Sequence, residues 1–312
     1  MALVRADFAM VTSYRWLRRF AVRGVFWRQY LDWAMINVPF YLQPILLFFW
    51  TNFFFFFAAS ARRTIISNLQ VVRPGPWPAT NYARAWLTLF NFAWTITDVA
   101  NYKLTKAQFA YELEGEQYLD QLAAARGAIV LTAHMGNYDL GAAIFAQRFH
   151  REIRMVRAPE LDEQTAQHVD ISMQQTGAGA VKVGYSTSGT ALSFDLLYAL
   201  RQGEIVSIQG DRVTGDVSHT RMQLFTRDVN LPDGPFSLAF VAQTPIFPLF
   251  VLRAGYHRYK IIACEPIHCL RVERSRDAAV KTAMQQWCSV LETIISRYWS
   301  QWFSLVPIFP AQ

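Results

Sequence analysis

Two side chains that could share a proton sit five positions apart in the stretch Ile129-Val-Leu-Thr-Ala-His134-Met-Gly-Asn-Tyr-Asp139. An imidazole can take a proton from a hydroxyl, and a carboxylate bonded to its other nitrogen would fix the tautomer. On one continuous helix, five residues at about 100° each would leave the two side chains about 140° apart. The histidine therefore has to precede a helix. The apolar run 128–132 reads as a short buried strand, Met135-Gly136-Asn137 as a turn, and 138–149 as a helix with Asn137 as its N-cap. Asp139 would then fold back from the first helical turn toward His134. Gly136 would permit close approach, so that backbone amides of the turn could hold a developing oxyanion. The same spacing also describes a satisfied turn histidine beside a helix-capping aspartate.

Such a pair needs a frame. Short apolar runs at 128–132, 153–156, 180–183, 205–209, 246–252 and 259–264 alternate with helical periodicity at 162–175, 189–201, 235–242 and 277–300. They predict an α/β fold with a mixed, mostly parallel sheet flanked by helices. From 79 to 125 the period is mostly helical, and Trp86, Phe90 and Trp94 form a stripe expected in a core. Asp211 and Arg212 follow the strand at 205–209, at the carboxyl end where such sheets place ligands. Arg212 is thus a candidate for a phosphate or sugar head group, with Asp211 holding it; a surface ion pair is the alternative. Gly234, between Pro232 and Pro235, opens a helix whose free amides offer an anion site, or is simply part of a loop.

The 312 residues suffice for one large α/β domain plus an extra segment, and 53% hydrophobic content exceeds what a soluble domain needs. A lipid-facing surface is one way to account for the excess; a wholly buried helix hairpin is the alternative. The formal charge is +7, carried by 25 Arg against 5 Lys, and arginine's planar fork suits phosphate. No helix-turn-helix, zinc-finger or RNP pattern accompanies it, so nucleic acid is not an expected partner. Cys264, Cys269 and Cys288 form no even framework, which fits a reducing compartment, and Cys264-x3-His268-Cys269 has the wrong spacing for zinc. From Trp33 through Ala61 there is no charged residue. That run could reach across a bilayer, but Asn37, Pro39, Gln43, Pro44 and Asn52 interrupt it. Arg18, Arg19, Arg23 and Arg28 precede it and Arg62 and Arg63 follow, an arrangement compatible with bent insertion into one leaflet. Residues 1–73 are accordingly expected to form a membrane-associated N-terminal helical arm, ended by Pro74-Gly-Pro-Trp-Pro78, and 74–312 a catalytic domain.

His134-x4-Asp139 after an apolar strand resembles the catalytic box of the glycerolipid and lysophospholipid acyltransferase superfamily. Arg62-Arg63-Thr-Ile-Ile-Ser-Asn68-Leu69, Gln209-Gly210-Asp211-Arg212, the block from Leu231 to Ala239, Thr244-Pro-Ile-Phe-Pro248 and Arg297-Tyr-Trp-Ser-Gln301-Trp302 resemble, in order, segments of its lipid A late acyltransferase (lauroyl and myristoyl transferase) branch. Nearly the whole chain is covered. The chain departs at Asp139, where that branch usually has glutamate, and at Trp299, where proline is usual. The resemblance implies a membrane-bound enzyme moving a fatty acyl group from a thioester to a hydroxyl, at the cytoplasmic face of a bacterial inner membrane. His134 would be the general base and Asp139 its partner, with Gly136, Asn137, Asp211, Arg212 and Gly234 at the substrate. Acyl carrier protein or coenzyme A would carry the donor, a glycolipid such as a lipid A precursor would accept, and no cofactor or metal is implied. A phosphatidylinositol mannoside, lysophospholipid or aminolipid acceptor stays open. So does a catalytically silent lipid-binding protein, against which the intact His134 and Asp139 argue.

Overall fold

The computed structural model describes residues 25–75, 77–157, 181–185, 189–269 and 275–310. The helix expected at 162–175, the stretch 176–180 and the leading Arg18, Arg19 and Arg23 lie outside them. Four helices come first: α1 (Val25–Asn37), α2 (Gln43–Phe57), α3 (Ala59–Val72) and the 28-residue α4 (Pro78–Thr105). α4 is their common spine. Ala34 and Met35 of α1 pack with Ala100, Leu47 of α2 with Ala93 and Trp94, and Ile65 and Leu69 of α3 with Ala85. The aromatic stripe of α4 is part of this core: Trp86 stacks on Phe90 at 5.0 Å and Trp94 is buried.

Among the described residues, no single helix is long and apolar enough to cross a membrane; α2 and α3 qualify only together, and they bend by 91° at their junction. The Arg62 guanidinium holds this bend by donating back to the carbonyls of Phe55 and Phe56, the exposed end of α2. Large apolar side chains stand exposed on α1, α2 and the connection between them, among them Trp33 (57%), Phe40 (64%), Phe49 (66%) and Phe57 (76%).

The remaining elements are β1 (Ala110–Glu114), α5 (Glu116–Ala124), β2 (Ala128–Thr132), α6 (Tyr138–Phe149), β3 (Ile153–Arg157), β4 (Val181–Tyr185), α7 (Gly189–Arg201) and β5 (Ile205–Gln209). They continue with β6 (His219–Leu224), β7 (Arg227–Pro232), α8 (Gly234–Ala242), β8 (Ile246–Gly255), β9 (Arg258–Ala263), α9 (Arg276–Tyr298) and a 3-10 turn, Trp299–Gln301. Seven strands form one sheet in the order β1-β9-β8-β2-β5-β3-β4, parallel throughout except for the β8–β9 pair. This is the mixed, mostly parallel α/β sheet read from the sequence.

Three strands were hidden in it. β1 lies inside the stretch expected to be helical, an edge strand alternating exposed and half-buried residues as it pairs with β9. β6 and β7 form a separate antiparallel hairpin, turned by Phe225 and Thr226 in the left-handed region. All three have too few apolar positions to stand out. β2, by contrast, is buried at every position, sits between β8 and β5, and aims its carboxyl end at His134.

Candidate active site

The geometry around His134 begins with strand register. β2 and β5 pair in parallel from Ala128↔Ile205 to Thr132↔Gln209, and the Gly210 amide extends the ladder by donating to the Thr132 carbonyl at 2.9 Å. His134 and Asp211 each lie two residues beyond the last of these pairs, so the same register brings them side by side. Asp211 Oδ1 accepts from the His134 backbone N–H at 3.1 Å and lies 2.6 Å from Nδ1. Its Oδ2 accepts from the Trp302 indole N–H at 3.0 Å.

These contacts set the protonation states. Burial works to raise the Asp211 pKa, but the charges of His134 and Arg212 and the bonds from His134 and Trp302 outweigh it and hold the carboxyl well below the usual range. For His134, burial lowers the pKa below 6.5, helped by Arg212 and Arg157 and opposed by Asp211. The ring is therefore neutral near pH 7 beside an ionised carboxylate. Arg212 Nε also approaches Nδ1, at 2.9 Å, and one nitrogen cannot donate to Asp211 while accepting from Arg212. The shorter contact with the buried anion prevails: Nδ1–H donates to Asp211, and Nε2 keeps the lone pair that a base requires. The His134 side chain remains 26% exposed whereas that of Asp211 is fully covered, so the ring is reachable from outside and its partner is not.

The structure gives Asp139 a different partner from the one expected. Its carboxylate takes Arg157 Nη1 at 2.7 Å, because α6 directs it toward the carboxyl end of β3, while Nδ1 of His134 faces β5. The turn that was expected to supply oxyanion donors is also differently employed. Met135 N donates to Ala133 O (2.7 Å), Gly136 N to Gln301 O (3.0 Å) and Asn137 N to Val251 O (2.7 Å). Gly136, at φ +58°, brings the turn against β8, where a Cβ would stand 2.0 Å from the Val251 carbonyl oxygen. Asn137 does cap α6, accepting from Leu140 N at 3.2 Å, and its amide donates to Thr95 O and Tyr259 Oη. Both residues fasten the turn, which leaves them poorly placed to hold substrate.

Arg212 points inward, 7% exposed, and donates through Nη2 to Phe303 O at 3.0 Å; Asp211 pairs with it at 3.7 Å, as expected, and also holds the histidine, which was not expected. Gly234 begins α8 with open space around it, and no described contact joins it to His134.

The segment from Trp299 to Phe309, whose first residues belong to the closing block of the resemblance, contributes to the site in a way that block does not specify. Phe303 N donates to His134 O (2.8 Å), Met135 bridges to Trp302, and the Gln301 amide clamps both backbone groups of Arg253. Asn68 of α3 secures this strap, donating to the carbonyls of Ser304 and Val306 and accepting from Ile308 N. A second support lies under the turn: Tyr259 Oη, bonded to Asn137, donates to the fully buried Asp98 Oδ2 at 2.5 Å. Burial raises Asp98 to about 6, against the opposing bond from Tyr259 and the charge of Arg253.

Between α6 and the sheet, reaching Thr132 two residues short of His134, lies a small, mostly apolar cavity of about 30 Å³, lined chiefly by Val130, Tyr138, Ala142, Phe145, Leu249 and Val251. A neutral histidine with a buried carboxylate behind it suits proton removal from a hydroxyl. No curated protein matches the chain. The family described as bacterial lipid A biosynthesis acyltransferase matches residues 26–310, nearly the whole length. With an activatable histidine and a family match of that extent, the chain belongs to the bacterial lipid A biosynthesis acyltransferase family and is an acyltransferase.

Proposed function

We propose that the protein transfers a fatty acyl group from an acyl carrier protein or coenzyme A thioester to a hydroxyl of a lipid A precursor, with His134 as general base. The observation that carries this reading is the 2.6 Å contact between His134 Nδ1 and the buried Asp211, which leaves Nε2 as the lone-pair acceptor of a ring whose side chain is 26% exposed. The acceptor hydroxyl gives its proton to Nε2 as its oxygen attacks the thioester carbonyl carbon. The new C–O bond forms, the C–S bond breaks, and the imidazolium returns the proton to the departing thiolate. No protein nucleophile is needed, and Asp211 stabilises the imidazolium between the two transfers. Asp139 acts at one remove: its charge offsets that of Arg157, which otherwise makes His134 a weaker base.

The exposed aromatic face of α1 and α2 supports docking into one leaflet at the cytoplasmic face of the inner membrane. α2, at about 1.5 Å per residue, is too short for a hydrocarbon core of about 30 Å. Arg62 and Arg63, immediately past the bend, suit the phosphate level.

The test is transfer of labelled dodecanoyl groups, from acyl carrier protein and from coenzyme A, to a lipid A precursor in detergent micelles. Wild type is expected to form the acylated product and His134→Ala none above background; undiminished transfer by the variant would overturn the reading.

A further inference from the structure

The carboxyl end of β8 carries a cation with donors to spare. Arg253 stands at the same end of the sheet as His134, two residues, or about 6.6 Å of strand, beyond Val251, whose carbonyl receives Asn137 N. Its guanidinium lies over the Trp94 ring at 4.4 Å, and its Nε faces Asp98 Oδ2 at 3.5 Å. Both of its main-chain groups are bonded by the Gln301 amide, and the Gln301 carbonyl accepts from Gly136 N. A ring, a carboxylate and a main-chain clamp thus hold the cation in one unit with the turn around His134. Nη1 and Nη2 nevertheless make no hydrogen bond to a described residue, and unlike Nε they are not buried; the side chain is 15% exposed.

We infer that Arg253 binds a phosphate ester on the head group of the lipid acceptor, with Nη1 and Nη2 donating to two phosphate oxygens. This assignment rests on the acyl-transfer reading of the His134 site.

The chemistry favours phosphate. A planar fork with two outward nitrogens matches two oxygens of one phosphate, and a fork already fixed by its surroundings loses little freedom on binding. Asp98, the carboxylate paired with Arg253, is fully covered, so an arriving anion meets the cation before its counter-charge.

The surroundings favour a lipid over a soluble phosphate. Trp94 meets Tyr256 edge-on at 6.0 Å, Tyr256 lies 6.4 Å from Phe40, and Phe40 lies 5.6 Å from Tyr41. Tyr256, Phe40 and Tyr41 are all exposed. A path of rings therefore leads from the guanidinium onto the exposed aromatic face of α1 and α2. Tyrosine and tryptophan rings gather at the head-group level of a bilayer, where lipid phosphates lie, whereas the phosphates of a thioester carrier arrive from water.

Arg253→Gln and Arg253→Lys are to be compared with wild type in detergent micelles, on a lipid A precursor bearing phosphate esters and on the same glycolipid after enzymatic dephosphorylation. Folding is followed through Tm. Wild type is expected to show a KM about 10- to 100-fold lower for the phosphorylated acceptor, the worth of hydrogen bonds to a charged group. Arg253→Gln should lose most of that preference with KM for the thioester donor unchanged, and Arg253→Lys, a cation without the fork, should keep only part of it. Equal KM values in wild type overturn the assignment. So does a folded Arg253→Gln with the wild-type preference, or one that raises KM alike for both acceptors, as a merely structural partner of Asp98 would. A rise confined to the donor KM would put a donor phosphate at Arg253 and overturn it as well. Should Arg253→Gln not fold, an undiminished preference in Arg253→Lys decides against the site. Co-sedimentation with phosphatidylglycerol vesicles tests the bilayer as the source: binding lost in Arg253→Gln while the acceptor preference survives assigns the cation to bulk lipid and removes it from the acceptor. His134→Ala separates the two readings. If it is inactive while Arg253→Gln keeps the preference, only the Arg253 assignment falls; if it is fully active, the acyl-transfer reading of the site falls first.

Discussion

Trp302 and Asp211 are joined by one hydrogen bond, indole Nε1–H to carboxylate Oδ2 at 3.0 Å, between two fully buried side chains. The bond lets Asp211 present its other oxygen to His134. Trp302→Phe keeps most of the packing and removes the donor. A loss of about 1.5–3 kcal/mol in stability, the range for hydrogen bonds to charged groups, is expected together with a drop of about tenfold in kcat. Chemical denaturation and steady-state transfer assays measure the two; wild-type values in both would show that Asp211 needs no such support.

Asp211 and Asp139 are expected to fail differently. Asp211→Asn turns the Nδ1 partner into a side chain that can impose the wrong tautomer, a change that costs about 10⁴-fold in the serine protease triad. Asp139→Asn leaves Nδ1 bonded but exposes His134 to the Arg157 cation unopposed, so its loss should be smaller than that of Asp211→Asn. Equal losses in kcat/KM, or a larger one at Asp139, would restore Asp139 as the direct partner of the histidine.

The pH profile follows from the neutral resting ring. Burial sets the His134 pKa below 6.5, so kcat/KM should be flat near neutrality and fall only as pH drops through that lowered value. In Asp139→Asn the acid limb should move lower still. An acid limb at or above 6.5 in the wild type would contradict a buried neutral base.

Asp98 predicts an opposite trend in stability. Its carboxyl titrates near 6 in the fold against 3.8 unfolded, so between those values the folded chain holds the proton more tightly. That contribution is complete below about pH 4, fades as pH rises to about 6, and amounts to about 3 kcal/mol. Asp98→Asn should therefore lose less stability than wild type over that window, as read by Tm at pH 4, 5, 6 and 7. Parallel curves for the two proteins would mean that Asp98 stays ionised throughout.

Asn68 ties α3 to the strap that closes over His134, through three hydrogen bonds from a side chain only 1% exposed. Asn68→Ala should cost about 1–3 kcal/mol and loosen the strap. Protease cleavage within 301–308 is expected before any elsewhere, with kcat falling in step. Unchanged cleavage would show that the strap holds itself.

What could be read locally was read. The strand at 128–132, the helix at 138–149 and the Asn137 cap appear as expected, because burial at every strand position and a side-chain cap are properties of a few adjacent residues. The partner of His134 lay 77 positions away and depended on which strands pair. A signal for it existed: each of two apolar runs is followed, two residues past its last member, by a polar side chain, His134 after one and Asp211 after the other. In a parallel pair equal offsets become neighbours, but nothing in either run says that β2 and β5 are adjacent. Gly136 was rightly marked for close approach, and the approach is to the Val251 carbonyl. Gln301, Trp302 and Asn68 stand in segments quoted for the resemblance, but their structural partners Arg253, Asp211 and the strap carbonyls are far off in sequence, and the bonds to His134 and Gly136 are main-chain bonds that leave no residue pattern.

The strap also has a consequence in time. Ser304 is made 236 residues after Asn68, the residue that receives it. The apolar bend at α2 and α3 therefore leaves the ribosome long before the turn around His134 can be closed. On the membrane-docking reading proposed above, the enzyme would meet its membrane as an unfinished catalyst and acquire a competent base only after that surface has been made. On the same reading, thioester donors would be spared from an active site that has nowhere useful to send the acyl group.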